Sequence, residues 1–170
     1  MTTINLGDVT DLDKNGFKGF ISISALQELN CCNVPNIPGI YLVLRADNTV
    51  PEFCPENPGF HFKGRNPSVE IDTLRRKWVD DAPVLYIGKA GGSNSRTLSV
   101  RVREYMDFGL GKRSGRHWGG RYIWQMRNSC DLLVCWMETA PNILPREIES
   151  ALIHNFKDLY NRLPFANLCH

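Results

Sequence analysis

Residues 84–105, VLYIGKAGGSNSRTLSVRVREY, place the strongest constraint on the fold of this 170-residue chain. The stretch opens with an apolar, β-branched and aromatic run at residues 84–87, which is typical of a buried strand. Gly88 ends that run, and the glycine- and serine-rich residues 91–95 predict a loop. From about residue 97 onward the apolar positions recur at helical spacing. The pattern therefore predicts a strand, a glycine loop and a basic amphipathic helix in succession.

Two interpretations of this stretch are open on the local pattern alone. In the first, it is an ordinary strand–turn–helix unit whose glycines serve the turn. In the second, the glycines cradle a phosphate, but the GxxxxGK[ST] pattern is absent and Lys89 precedes the glycines instead of following them. GKAGG by itself is therefore a weak signal of nucleotide binding.

A second strand-like run lies upstream, at residues 39–44, and it also opens with Gly-Ile-Tyr. Together with Tyr86-Ile87-Gly88 it resembles the paired signature of the GIY-YIG endonuclease superfamily. Members of that family place an arginine in the helix after the second motif, a glutamate on a later helix and an asparagine after that helix. Here Arg101, Glu149 and Asn161 stand at those positions. The five features follow the family's order and cover about three quarters of the chain.

The resemblance implies an α/β (α+β) fold, in which a small, central, mostly antiparallel three-stranded sheet is flanked by helices. The first two core strands would pair with each other, and the apolar residues 131–137 predict the third. The nuclease domain would cover residues 39–170, and residues 1–38 would form an N-terminal extension packed on it. Within that extension, residues 21–29 predict a short helix.

Residues 45–83 form a long insertion between the first two core strands, where family members have a short hairpin. A loop of this length inside a compact domain is usually functional or disordered. Residues 68–79 predict an amphipathic helix that carries Arg75 and Lys77 on its basic face. Basic and aromatic residues together permit stacking on nucleic acid, and they equally permit a lid or a protein contact.

The second half of the chain predicts two further helices and two buried thiols. One helix begins near His117, and another begins at Pro145, which suits a first helical turn, and runs to about residue 160. Cys130 and Cys135 flank or lie within the third strand and are interpreted as core thiols. No cysteine pair has the spacing of a zinc site, so we expect free thiols in a reducing cytoplasm.

The net charge of +2 is small, but the basic residues are unevenly distributed. Eight of them fall within residues 96–127, opposed there only by Glu104 and Asp107. Such a segment can attract a phosphate backbone, although a solvated basic surface is the simpler alternative. The amino terminus lacks the pattern of a secretory signal, and no run has the length of a membrane span, so we expect a cytoplasmic protein.

The resemblance also implies chemical roles for individual residues. Arg101 would pair with the scissile phosphate as a bidentate cation. Glu149 would hold Mg²⁺, or Mn²⁺, because hard carboxylate oxygens suit these ions. Tyr41 would orient or deprotonate the attacking water, which requires a nearby cation, Lys89 or the metal, to favour phenolate. Tyr86 would supply a second hydroxyl.

Other residues take supporting or substrate-binding positions. The family often has a histidine one helical turn after the arginine, and this chain has Tyr105, which cannot act as a near-neutral acid or base. The helix pattern places Glu149 at the margin of an apolar stripe, where an ion pair with Arg146 is the alternative to a metal. The supporting residues are Gly39, Gly88, Lys89, Tyr105 and Asn161. The candidate substrate-binding residues are Arg103, Arg75, Lys77 and His117.

The function expected from the sequence is that of a divalent-metal-dependent endonuclease acting on DNA. The alternative is a module with a nuclease-like fold that binds nucleic acid, or assembles with protein partners or with copies of itself, without cutting.

Overall fold

The computed structural model of the chain describes residues 4–92, 96–115 and 117–168. Over these residues the chain forms one antiparallel sheet with helices on both faces. The strands are β1 Lys18–Ser22, β2 Gly39–Leu44, β3 Val84–Ala90 and β4 Leu133–Glu138. The α-helices are α1 Val9–Lys14, α2 Ile23–Glu28, α3 Ile71–Lys77, α4 Leu98–Gly109 and α5 Pro145–Tyr160. Short 3₁₀ helices span Phe62–Gly64, Arg121–Gln125 and Ser129–Asp131.

The α+β architecture confirms the predicted fold class, but the sheet has four strands instead of three, in the order β1-β4-β2-β3. The additional strand, β1, comes from the segment before Gly39 and pairs with β4 at one edge. β1 is irregular, since Gly19 and Phe20 have positive φ angles and the pairing shifts register between Gly19 and Ile21. Its sequence therefore lacks the regular alternation by which a strand is predicted. The helix predicted over residues 21–29 starts two residues later, because residues 21 and 22 belong to β1. The Ser22 side chain ends the strand by accepting a hydrogen bond from the Ala25 amide, which begins α2.

The alternation of side chains along β2 divides the core into two layers. Tyr41 and Val43 face α2 and α4, while Ile40, Leu42 and Leu44 face α5. Every residue of β2 is buried, as expected for a strand with a neighbour on each side and helices above and below. The two motif strands therefore lie at the centre of the molecule.

Strand β3 is longer than the sequence indicated. It was expected to end at Gly88, but Gly88, Lys89 and Ala90 continue the pairing with β2 as far as Gly39. Gly88 does not end the strand, because its backbone continues the antiparallel pairing with Tyr41 on β2. The glycine loop begins at Gly91 and Gly92, both with positive φ, and the rest of it lies outside the described residues.

A buried glutamine helps to anchor the insertion of residues 45–83 to the segment before β4. The Gln125 side chain accepts a hydrogen bond from the Val69 amide at 2.8 Å and donates to the carbonyls of Val69 and Cys54 at 2.9 and 3.0 Å. The Cys54 amide also donates to the Gln125 carbonyl at 2.7 Å. The helix predicted over residues 68–79 is present but shorter, as α3.

Some of the remaining predictions are confirmed and others are wrong. β4 and α5 are found where apolar runs and Pro145 predicted them. The helix predicted from His117 is wrong, because Gly120 adopts a left-handed conformation and only a short 3₁₀ helix follows. Cys135 is buried in β4, whereas Cys130 is exposed, so the core-thiol prediction fails for Cys130. The five cysteines of the described residues are all free thiols. None of the helices in the described part of the chain combines the length and apolar character needed to cross a membrane.

Candidate active site

The pairing of β2 with β3 brings the two motif tyrosines onto one face of the sheet. Tyr41 lies opposite Gly88, and Tyr86 lies opposite Val43, so both rings project toward α4 with centroids 6.0 Å apart. Gly88 leaves the space that the Tyr41 ring occupies, because a Cβ atom there would lie 2.6 Å from the Tyr41 hydroxyl oxygen. The motif glycine thus has a packing reason that requires no special backbone angle.

Gly39 has a similar reason. A Cβ atom at Gly39 would lie 2.6 Å from Leu98 Cδ1, the first residue of α4, and would also meet the Met137 carbonyl on β4. Gly39 therefore permits close approach between the start of β2 and the start of α4. That approach sets the position from which α4 presents Arg101.

A cavity of about 270 Å³ opens where the ends of β3, α4 and α5 meet. Two observations explain its position. Lys89 lies opposite Ile40 and so faces α5, while Arg101 reaches the same place from α4 on the other face of the sheet. The cavity is lined by Tyr86, Lys89, Gly91, Arg96, Arg101 and Glu149.

Each charged side chain that lines this cavity takes part in an ion pair. Lys89 Nζ forms an ion pair with Glu149 Oε2. Arg101 Nη1 donates to Glu104 Oε2 at 2.9 Å, and Arg96 Nε lies 3.5 Å from Glu104 Oε1. Because Lys89, Arg96 and Arg101 face two carboxylates, the local charge is positive before any ligand binds.

The sequence suggested Arg146 as an ion-pair partner of Glu149, but in the structure the partner is Lys89. Arg146 and Glu147 are both exposed on α5, whereas Glu149 is partly buried toward the cavity. The position of Glu149 agrees with the sequence-based expectation that it lies at the margin of the apolar stripe.

Tyr41 is fully buried, and its hydroxyl is hydrogen bonded to Nε2 of His117, a residue 76 positions away in the chain. His117 Nδ1 lies 2.5 Å from the Gly119 carbonyl oxygen. A carbonyl can only accept, so Nδ1 carries the imidazole proton and Nε2 accepts from the Tyr41 hydroxyl. The sequence analysis placed His117 among the substrate-binding residues, but its side chain is buried beside Tyr41.

The protonation states of this pair follow from burial. Burial raises the pKa of Tyr41 to about 12, and the nearby charge of Arg101 offsets part of the increase. Burial and the positive charge of Arg101 together lower the pKa of His117 from 6.5 to about 3. At neutral pH the pair therefore consists of a neutral phenol that donates and a neutral imidazole that accepts.

Tyr105 lies one helical turn after Arg101 on α4, and the structure shows what it contacts. Its hydroxyl donates to the Gly120 carbonyl at 2.9 Å, and its ring centroid lies 4.3 Å from that of His117. Tyr105 thus holds the loop that delivers an imidazole to Tyr41. No spacing in the sequence links His117 to this place, which is why its position could not be predicted.

Asn161 is remote from the cavity. It is the exposed C-cap of α5 in a left-handed conformation, a position that asparagine tolerates well. A buried asparagine farther along the chain, Asn167, is bonded to the motif strand instead. The Ile87 amide donates to Asn167 Oδ1 at 3.0 Å, and Asn167 Nδ2 donates to the Ile87 carbonyl at 2.9 Å.

Three basic residues proposed to bind substrate are also separate from the cavity. Arg103 is exposed on α4 and donates to the Asn30 carbonyl at 3.1 Å. Arg75 pairs with Asp72 at 3.1 Å on α3, and Lys77 ends that helix. The following residue, Trp78, lies under Arg45 at the far end of β2, so α3 and the cavity are separated by the length of a six-residue strand, about 20 Å.

Arg96 was not singled out by the sequence, although it lines the cavity with Arg101. Its place at the end of the glycine loop, just before α4, was the available signal. No protein-family model, no curated protein and no solved structure matches this chain.

Proposed function

We propose that this protein is a divalent-metal-dependent endonuclease that hydrolyses DNA phosphodiester bonds in the cavity between β3, α4 and α5. The observation that supports this most directly is the convergence of Arg101, Glu149, Lys89 and Tyr86 on one small opening from three different elements. Hydrolysis of a phosphodiester requires cations for the phosphoryl oxygens, a positioned water and help for the leaving oxygen. The cavity offers groups suited to the first two requirements.

Arg101 is the group best placed to receive the scissile phosphate. Its guanidinium is held by Glu104 at one nitrogen, which fixes the orientation of the planar fork. Arg96 lies beside it with a longer and more exposed contact to the same carboxylate. A phosphate entering the cavity therefore meets two arginines, one rigid and one able to turn toward it.

Glu149 is the candidate ligand for Mg²⁺ or Mn²⁺. The described residues contain no group of three or more acidic, histidine or cysteine side chains that could cage a metal. A single carboxylate fits an ion that takes its other ligands from substrate phosphate and water, as Mg²⁺ does. Such an ion would neutralise charge on the phosphoryl group and acidify a bound water.

The Tyr41–His117 pair is suited to carry a proton away from the attacking water. The Tyr41 hydroxyl is buried and does not line the cavity, so this transfer requires water to reach it when substrate binds. The Tyr41 oxygen would then accept the water proton while its own proton passes to His117 Nε2. The low pKa of His117 arises in part from Arg101. A phosphate that neutralises Arg101 would raise the pKa of His117 and make the imidazole a better base when substrate is bound.

A non-cleaving module remains the second candidate, because two observations favour it. The Tyr41 side chain is completely buried, and both Glu149 and Arg101 already have ion-pair partners. A protein that only binds nucleic acid would need none of these groups to open.

Incubation of supercoiled plasmid with the protein and Mg²⁺ distinguishes the two candidates. We expect nicked and then linear DNA, no reaction in excess chelator, and no reaction with Glu149→Gln. Glu147→Gln, on the exposed side of the same helix, is the matched control and should cleave normally. Binding of plasmid without cleavage by any preparation of folded protein would favour the module.

A further inference from the structure

A group of unsatisfied donors lies outside the cavity, in the 3₁₀ helix Arg121–Gln125. Three buried side-chain nitrogens have no hydrogen-bond partner: Arg121 Nε, Arg121 Nη1 and Trp124 Nε1. In the described part of the chain no other buried side-chain nitrogen or oxygen lacks a partner. All three atoms are donors. Buried donors are nearly always satisfied in proteins, so three of them on one short helix call for an acceptor.

The guanidinium of Arg121 is held between two aromatic rings. Its Cζ atom lies 4.6 Å from the centroid of Trp118 and 5.1 Å from that of Tyr122. Aromatic faces attract a cation but accept no strong hydrogen bond from it. No carboxylate in the described residues pairs with Arg121, and burial lowers its pKa. The rings therefore fix the plane of the guanidinium and leave its charge without a counter-ion.

The donors are also held in place through the backbone. Residues three apart in a 3₁₀ helix lie on the same side, so the side chains of Arg121 and Trp124 project in the same direction. The Arg121 carbonyl accepts a hydrogen bond from Asn57 Nδ2 at 2.8 Å, and Gln125 is fixed by its bonds to the insertion. Arg121 as a whole is partly exposed, so a ligand can approach its guanidinium from solvent.

This group of donors directly follows Gly120, which contacts Tyr105 and Tyr86. Gly120, the residue before Arg121, accepts a hydrogen bond from Tyr105, and a Cβ atom on Gly120 would lie 3.1 Å from the Tyr86 ring. The backbone next to Arg121 therefore packs against Tyr86, one of the residues that line the cavity.

We propose that Arg121 and Trp124 form a second anion site that binds a phosphate group, and that its ligand is another phosphate of the nucleic acid whose scissile phosphate lies at Arg101. A phosphate supplies several strong acceptors and the missing negative charge, which the guanidinium fork and the indole N–H complement. The identity of the ligand rests on the proposed function. The presence of an anion site does not.

The test is nuclear magnetic resonance of ¹⁵N-labelled protein, which reports Arg121 Nε–H and Trp124 Nε1–H separately. The probes are inorganic phosphate and, in a second arm, a short DNA duplex in the presence of chelator so that no cleavage occurs. We expect both resonances to shift saturably with each probe, and the duplex to reduce the response to phosphate. Absence of any shift with either probe would overturn the site.

Three variants separate binding from folding. Arg121→Met should abolish the phosphate response of the indole, weaken duplex affinity about tenfold and lower the salt slope of binding by about one. Trp124→Phe keeps the ring and removes one donor, and should weaken the response without abolishing it. Arg65→Met removes an exposed arginine with the same change in charge and should leave both resonances responsive. Unchanged duplex affinity and salt slope in a folded Arg121→Met protein would overturn the proposal.

Failure of this inference can be told from failure of the proposed function. A phosphate response without plasmid cleavage would leave the anion site standing and reject the nuclease. Cleavage by wild-type protein with no response at Arg121 would do the opposite. A response to inorganic phosphate that the duplex cannot compete away would reject nucleic acid as the source of the phosphate.

Discussion

At the residue scale, the Tyr41–His117 hydrogen bond determines what each partner can do. The Gly119 carbonyl fixes the tautomer of His117, and burial keeps the ring neutral. Tyr41 can then act only as a donor until a cation or a bound phosphate changes the balance. The pair thus makes separate predictions for stability and for catalysis.

The first prediction concerns the pH dependence of stability. Between pH 6.5 and about 3, His117 binds a proton in the unfolded chain but not in the folded one. The free energy of unfolding should therefore fall as the pH is lowered through this range, by at most ~1.4 kcal/mol per pH unit from this group. His117→Gln should show a shallower dependence in urea denaturation at a series of pH values. Equal slopes for the two proteins would contradict the assignment of a buried neutral imidazole.

The second prediction concerns Arg101. Arg101→Ala should lower the rate of cleavage of bound DNA by about a hundredfold or more, with a much smaller effect on affinity. Arg101→Lys should rescue poorly, because an ammonium cannot both bond Glu104 and present a second donor in the same plane. Single-turnover cleavage and equilibrium binding measure the two effects. A collapse of binding with an unchanged rate for bound DNA would be inconsistent with this role.

The third prediction concerns the pair formed by Lys89 and Glu149. Glu149→Gln should lose Mn²⁺ binding in a titration with DNA present, whereas Glu147→Gln should retain it. Lys89→Met removes the ammonium that competes for the same carboxylate, so the free protein should bind Mn²⁺ more tightly. The pair is partly exposed, with 40% and 18% of the side-chain surfaces accessible, so a gain of about fivefold is expected. Weaker Mn²⁺ binding by Lys89→Met would show that Lys89 supports the metal and does not compete with it.

At the element scale, local pattern was sufficient wherever neighbouring residues determine the structure. β2 was predicted from its apolar run, and α5 was predicted from the proline at its first turn. β1 was not, since its pairing with β4 depends on residues more than a hundred positions away. The site divides in the same way. Arg101 and Glu149 were predicted through the family resemblance, but His117 reaches Tyr41 only through the folded loop.

The insertion supplies the fourth prediction, in which changes on its exposed helix and a change at the glutamine that anchors it should have different effects. Arg75→Ala with Lys77→Ala alters an exposed helix far from the cavity, so basal cleavage should persist while salt dependence or substrate preference changes. Gln125→Ala leaves buried backbone groups of the insertion unsatisfied and should lower the free energy of unfolding by about 2 kcal/mol or more. Because Gln125 also ends the 3₁₀ helix after the His117 loop, cleavage should fall as well. Thermal denaturation and plasmid cleavage measure both, and loss of cleavage in the double variant alone would contradict the division.

At the scale of the whole molecule, the sheet order places β2 between β4 and β3 and leaves β3 at an edge. That edge carries Tyr86, Gly88 and Lys89, so a strand needed for the site has one side without a neighbouring strand. The segment after α5 covers it. The Ala166 amide donates to the Leu85 carbonyl at 2.9 Å, and the Asn167 side chain bonds both backbone groups of Ile87.

This cover has a consequence for the order of assembly. The contact between Ile87 and Asn167 spans 80 residues, so it is a late event compared with the closure of local turns. A nascent chain that has not yet supplied residues 165–168 holds its motif strand with an open edge, which is prone to pairing with other chains. The geometry at Tyr86 and Lys89 becomes fixed only when that segment docks. The proposed cleavage activity would in this way appear only after residues 165–168 have docked on β3.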